Sequence, residues 1–176
     1  MLSLNIATQI DIVKLREIAL SAFAEDETYR PNGIDDGSPP GLDTIEKHEE
    51  WLNSKTYLKC SMNGELVGSC ILQMDGENGV IFGLFVRKQY MNSGIGSWII
   101  DKIQRMFNHI SIWTLETPDY SIRNHYFYKK NGFILMQITQ EEPLLGFGFH
   151  KYMKETNNVI EAYAKGCSDE KQRYPQ

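Results

Sequence analysis

From Gly83 to Ile100 the chain reads Gly-Leu-Phe-Val-Arg-Lys-Gln-Tyr-Met-Asn-Ser-Gly-Ile-Gly-Ser-Trp-Ile-Ile. A β-rich run enters a glycine-bearing turn, and a periodic helix follows with Ile95, Ile99, Ile103 and Met106 on one face and Trp98 beside them. The first turn of a helix leaves its backbone N–H groups without acceptors. Asn92, Ser93, Gly94, Ile95 and Gly96 are therefore positioned to aim main-chain donors at one anion. Gly94 and Gly96 carry no side chain, so an anion can approach closely, and a pyrophosphate is the natural ligand. The competing reading is an ordinary strand-to-helix turn that needs glycine for its backbone angles. No Gly-Lys-Ser/Thr follows, which excludes a P-loop. Ile99 stands where a dinucleotide fingerprint has its third glycine, which argues against that fold.

Such a loop needs a sheet and helices to hold it. Strands are expected at 2–6, 57–62, 66–74, 80–86, 109–116, 133–139 and 147–154. An amphipathic helix carries Ile12, Leu15, Ala19, Ala22 and Phe23 inward, and a second runs over 42–54. The loop helix is the third, and a fourth spans 121–130 and stops at Asn131-Gly132, residues that tolerate the left-handed helix-ending conformation. The order is an α/β domain with a mixed, mostly antiparallel sheet of six to seven strands and about four helices. Residues 1–154 form the domain, and 155–176 read as a polar tail with a short helix near 159–164. Segment 25–41 is turn-rich and acidic, and a loop of that length is often functional.

The chain has 176 residues with 18 Lys+Arg against 23 Asp+Glu, a net charge of −5, which is the size of one domain and lacks a nucleic-acid binder's basic footprint. No apolar run reaches the ~18 residues of a membrane span, and the N-terminus has no basic leader. A cytoplasmic protein with neither membrane nor nucleic-acid partner is expected. Cys60, Cys70 and Cys167 lack any metal-ligand spacing and read as reduced thiols. The Asn63-Gly64 hairpin would pair Cys60 with Val67 and Cys70 with Tyr57. The four histidines form no cluster, so no metal is expected, and His48 and His125 read as packing or surface groups.

With those residues in view, the chain resembles the GNAT superfamily of acyl-CoA-dependent N-acyltransferases. Met91-Asn92-Ser93-Gly94-Ile95-Gly96 is similar to that family's Gln/Arg-x-x-Gly-x-Gly/Ala, with Met91 departing from Gln/Arg. His125-Tyr-Phe-Tyr128-Lys-Lys-Asn-Gly132-Phe133 resembles its Phe-Tyr-x-Lys-x-Gly-Phe. Trp113-Thr-Leu-Glu116 resembles its Leu-Glu strand end, 12 residues before the tyrosine, and Ser121 stands where many relatives carry Asn.

The resemblance implies acetyl-CoA as co-substrate, with its pyrophosphate on the backbone of residues 92–97 and Met91 adjacent. It implies the pantetheine paired with the main chain of Leu84, Phe85 and Val86, where a backbone N–H would face the thioester oxyanion. Ser121 would reach the CoA or else cap its helix. Arg87, Lys88, Arg123, Lys129 and Lys130 are candidates for the 3′-phosphate. Tyr128 is the expected general acid, since a phenol of pKa ~10 donates to a thiolate without ionising at neutral pH. Glu116 is the expected base for the acceptor ammonium, directly or through water.

The acceptor is expected between the acidic segment, the second helix and the turn at 140–146. There Glu25, Asp26, Glu27, Asp35, Asp36, Glu141 and Glu142 would steer a cationic amine, borne by a small molecule or a protein. Two alternatives remain: a non-catalytic acyl-CoA-binding sensor on the same fold, and a nucleotide-binding oxidoreductase. A homodimer would be the commonest assembly.

Overall fold

The computed structural model describes residues 1–26, 29–32, 38–143 and 145–156. Its elements run β1 (Leu2–Ile6), α1 (Ile12–Ala24), α2 (Ile45–Ser54), β2 (Thr56–Met62), β3 (Glu65–Asp75) and β4 (Asn78–Val86). They continue with α3 (Ile95–Met106), β5 (Ile112–Pro118), α4 (Ile122–Lys130), β6 (Ile134–Ile138) and β7 (Phe149–Glu155). Seven strands form one sheet in the order β1-β2-β3-β4-β5-β7-β6. Every neighbouring pair is antiparallel except β4–β5. The expected α/β class, strand count and helix count all match.

Each face of the sheet has its own core. One packs Leu58, Cys70, Trp113 and Tyr152 against Ile95, Ile99, Ile100 and Ile103 of α3 and Tyr128 of α4. Burying each of those isoleucines contributes about 1.5–3 kcal/mol. The other packs Tyr57, Ile71 and Phe85 against Leu15, Ile18, Ala19 and Ala22 of α1 and Trp51 of α2.

Local chemistry sets most boundaries. Asn63 and Gly64 take φ values of 52° and 88°, the two left-handed residues a tight hairpin needs. α2 begins at Ile45, three residues later than expected, because the Thr44 hydroxyl accepts from the Lys47 N–H at 3.3 Å and caps the helix. β5 begins at Ile112 because 107–111 close α3, with the Ile110 N–H donating to the Phe107 carbonyl at 3.0 Å. α4 ends on Gly132 at φ 83°, with the Phe133 N–H returning to the Tyr128 carbonyl at 3.0 Å.

The hairpin register differs from the expectation by one residue. A bulge between Cys60 and Ser61 leaves Val67 unpaired, so Cys60 faces Gly68 and Cys70 faces Leu58. Both thiols are free and fully buried, and burial pushes the Cys60 pKa up to about 11. Cys167 and the helix expected near 159–164 lie outside the described residues.

His48 is a packing residue with both nitrogens engaged. Its Nε2–H donates to the Leu42 carbonyl and its Nδ1 accepts from the Tyr57 hydroxyl, each at 2.9 Å. Burial lowers its pKa from the usual value, which favours the neutral ring with Nδ1 accepting from Tyr57. The unfolded chain therefore takes up a proton first as pH falls, so this share of stability is complete above about pH 6.5 and declines below it. Urea midpoints measured from pH 8 to pH 5 are expected to drop below that value, and to drop less in His48→Gln.

Candidate functional site

Among the described strands β4 and β5 are the only parallel neighbours, and they stay paired over just Asn78↔Ile112, Gly79↔Trp113 and Val80↔Thr114. Beyond Val80 they splay. β4 is deflected by a bulge, since Ile71 faces Gly83 and Leu72 faces Ile81, leaving Phe82 unpaired. The Phe85 ring fills the space above Gly83, where a Cβ would lie 2.6 Å from it. The unpaired edge of β4 thus opens into a gap between the strands.

A cleft of about 310 Å³ lies at this gap beside α3 and α4. Leu84 and Val86 of β4, the loop residues Met91, Asn92 and Gly94, and Gly96 and Ser97 of α3 line one side. Arg123, Asn124, Phe127, Tyr128 and Lys130 of α4 line the other. Asn92 and Gly94 are left-handed, at φ 60° and 85°, and turn the loop's amides toward the cleft end. The first helical bond of α3 is the Trp98 N–H to the Gly94 carbonyl at 2.9 Å. The N–H groups of Ile95, Gly96 and Ser97 therefore have no acceptor within the helix and form an anion cradle at its positive end. A Cβ on Gly94 would meet nothing within 4 Å, so the cradle mouth is open, while a Cβ on Gly96 would press the Phe127 ring at 3.0 Å.

A second, wider cleft of about 850 Å³ opens along β4 and β5, lined also by Phe23 of α1 and by Pro39 and Pro40. The two clefts share Leu84, Asn124 and Tyr128. Tyr128 is 8% exposed, and burial pushes its hydroxyl pKa well above the usual phenol value. Its ring packs edge-on against Phe127 and Phe133, and no hydrogen bond joins its hydroxyl to another described residue.

Glu116 lines the wider cleft directly across the β5–β7 ladder from Lys151, whose Nζ lies 2.9 Å from its Oε1. It lies within β5, which runs on to Pro118, rather than at the strand's end. Of the other expected residues, Phe85 and Ile95 turn their side chains into the two cores, and the Ser93 hydroxyl bonds the Tyr90 carbonyl.

Ser121 is a correction. It is buried at the start of α4 and its hydroxyl donates to Asp26 Oδ2 at 3.3 Å, so it is not among the residues lining either cleft. Asn124, one turn further along, lines both clefts, and its amide donates to Asp26 Oδ2 at 3.1 Å and to the Thr117 hydroxyl at 3.3 Å.

The acidic segment is also corrected in part. Asp26 is buried and paired with Arg123 at 3.1 Å, and Glu25 is paired with Lys88 at 2.7 Å, so neither presents free charge. Burial raises the Asp26 pKa, against the pull of Arg123 and the hydrogen bonds from Ser121 and Asn124. Glu27, Asp35 and Asp36 lie outside the described residues, while Glu141 and Glu142 are exposed. Among the basic candidates, Arg123 and Lys130 line the cradle cleft, and Arg87 is paired with Glu65 at 3.4 Å. Arg123 also reaches Met91, with Nη1 2.8 Å from Sδ.

His125 and His150 stack at 4.1 Å, and His125 bridges the Asp119 carbonyl and the Tyr152 hydroxyl at 2.9 Å and 3.0 Å. No group of three potential metal ligands exists among the described residues, and no described helix is long and apolar enough to cross a membrane.

Residues 53–135 match the family profile of the acetyltransferase (GNAT) domain. No curated protein matches the chain significantly. Solved structures do. The ribosomal-protein-S18-alanine N-acetyltransferase of Escherichia coli aligns at 13% identity with a TM-score of 0.67, covering 90% of this chain and 98% of its own. The PaiA N-acetyltransferase of Thermoplasma acidophilum, in complex with coenzyme A, aligns at 16% identity and 0.67, covering 89% and 99%. An N-acetyltransferase of Staphylococcus aureus Mu50 aligns at 17% identity and 0.66, covering 88% and 97%. At such identities the structures speak for the fold. The splayed β4–β5 pair and the α3 cradle lie within the segment 53–135 that matches the acetyltransferase (GNAT) domain, and the chain shares its fold with these solved N-acetyltransferases.

Proposed function

We propose that this protein is an N-acetyltransferase that moves the acetyl group of acetyl-CoA to a primary amine by direct attack in a ternary complex. The observation that carries the reading is the meeting of two clefts at Leu84, Asn124 and Tyr128, one ending in an anion cradle. Acetyl-CoA would supply an activated acetyl thioester. The cradle suits its diphosphate: three helix-terminal N–H donors follow an open glycine, and Lys130 adds positive charge along the cleft while Arg123 is shared with Asp26. Arg123 stands against Met91, so its guanidinium compensates for the Gln or Arg absent at that position.

The remaining roles follow from where the side chains lie. The β4 main chain beyond Val80, free of β5, would pair with the pantetheine and offer an N–H to the developing oxyanion. Tyr128, kept protonated by burial, would give its proton to the departing thiolate. Glu116 would take the ammonium proton from the wider cleft, through water, with Lys151 holding Oε1. The expected tail boundary moves slightly, since Glu155 pairs with Ile112 in the sheet and the Thr156 N–H donates to the Ser111 carbonyl, so the tail outside the catalytic domain would start past Thr156.

Calorimetric titration with acetyl-CoA, with NADH as control, tests the cofactor, and thiol release over an amine panel tests the transfer. Saturable binding without release over the whole panel would favour a non-catalytic sensor. Binding of NADH alone would overturn the reading. Gly94→Ala forces a side chain into the left-handed region at φ 85°, costing roughly 1–2 kcal/mol of local strain, and puts a methyl at the cradle mouth. The dissociation constant for acetyl-CoA is expected to rise about ten-fold as the loop shifts to relieve that strain and the methyl crowds the bound anion.

A further inference from the structure

The wider cleft has few charges for its size. Among its described lining residues only Glu116 and Lys151 are charged, and they neutralise each other at 2.9 Å. Its walls are apolar, with Phe23, Pro39, Phe82, Met136, Phe147 and Met153 facing the space. Phe82 and Met136 are 43% and 57% exposed, large apolar side chains left partly uncovered at this cleft. One further charge touches this wall, and it is positive: Lys55 lies 4.7 Å from the centre of the Phe82 ring. Glu25 and Asp26, just past α1, are taken by Lys88 and Arg123, and the exposed Glu141 and Glu142 flank Leu145 and Phe147 without lining the cleft.

A polyamine or amino sugar entering this cleft would bring a second ammonium that meets no unpaired carboxylate among the described lining residues. Desolvating an unpartnered charge is costly, whereas an apolar body gains by covering these walls. The volume of about 850 Å³ falls in the range of cavities that hold one small organic ligand. Resting on the acetyltransferase reading above, we infer that the acceptor is a monoamine carried on an apolar aryl or alkyl body. The body lies along β4, β6 and β7, and the amine points toward Tyr128 at the junction of the clefts. Selection is by apolar contact rather than by acidic steering.

Binding of 2-phenylethylamine and of putrescine to the full chain, each with and without CoA, separates this inference from the reading it rests on. The dissociation constant of 2-phenylethylamine is expected to be at least ten-fold lower than that of putrescine. Met136→Glu, at an exposed position on the cleft wall, is expected to narrow that ratio at least five-fold. Equal affinities, tighter putrescine, no binding of either amine, or an unchanged ratio in Met136→Glu would each overturn the inference. Failure of acetyl-CoA to bind, or of either amine to release thiol, would instead strike the acetyltransferase reading and leave the amine ratio measurable.

Discussion

Tyr128→Phe is expected to lower turnover about 10²-fold while the acetyl-CoA dissociation constant stays within a few-fold. The physical basis is the position of the side chain rather than its packing. Phe keeps the ring that meets Phe127, Phe133 and Tyr152, and removes one oxygen that makes no hydrogen bond to a described residue. The fold therefore has little to lose. A thiolate leaving without a positioned proton donor has much to lose, because Tyr128 is the ionisable side chain that lines both clefts where they meet. The two effects separate in stopped and continuous thiol-release assays against calorimetric binding. Unchanged turnover would remove the acid role from Tyr128, and equal losses in binding and turnover would mean that the ring had moved.

The second large effect is on stability. Asp26 is 6% exposed and ties the end of α1 to the start of α4 through Arg123, Ser121 and Asn124. Asp26→Ala leaves those three donors without their carboxylate. Removing one partner of a buried ion pair costs about 3–5 kcal/mol, and the one-third exposure of Arg123 brings the expectation to about 3 kcal/mol. A drop of that size in urea unfolding, with an unchanged slope against denaturant, is the expected result. Asp26→Asn, which keeps an acceptor for Ser121, should lose less. A loss under about 1 kcal/mol in Asp26→Ala would mean that water replaces the carboxylate, as it does for surface pairs.

That cluster marks the limit of what a linear reading captures. Gly94, Gly96, Asn131 and Gly132 were legible because helix starts and stops are decided within a few residues, by backbone donors and by positive φ. The sheet was legible for a similar reason, since alternation and the Asn63-Gly64 turn are local signals, although the bulge at Val67 shifted the register by one residue. Ser121 and Asn124 show what was not. They sit three residues apart on α4 and both donate to Asp26 Oδ2, yet Asn124 lines the clefts and Ser121 does not. Only the docking of α4 on α1, across about a hundred residues of sequence, decides between them. The acidic segment misled for the same reason: a carboxylate's partner is not visible until the chain has folded, and Asp26 had found Arg123.

The sequence by itself determined the anion cradle, the α4 tyrosine and the order of strands and helices, because each depends on neighbours within a turn or two. Tertiary structure alone decided that β4 and β5 part after Val80 and that Tyr128 stands where two clefts join. It also decided that the wider cleft is apolar and internally neutral. Those properties arise from strands and helices far apart in the chain, whose side chains acquire a common cavity only through packing.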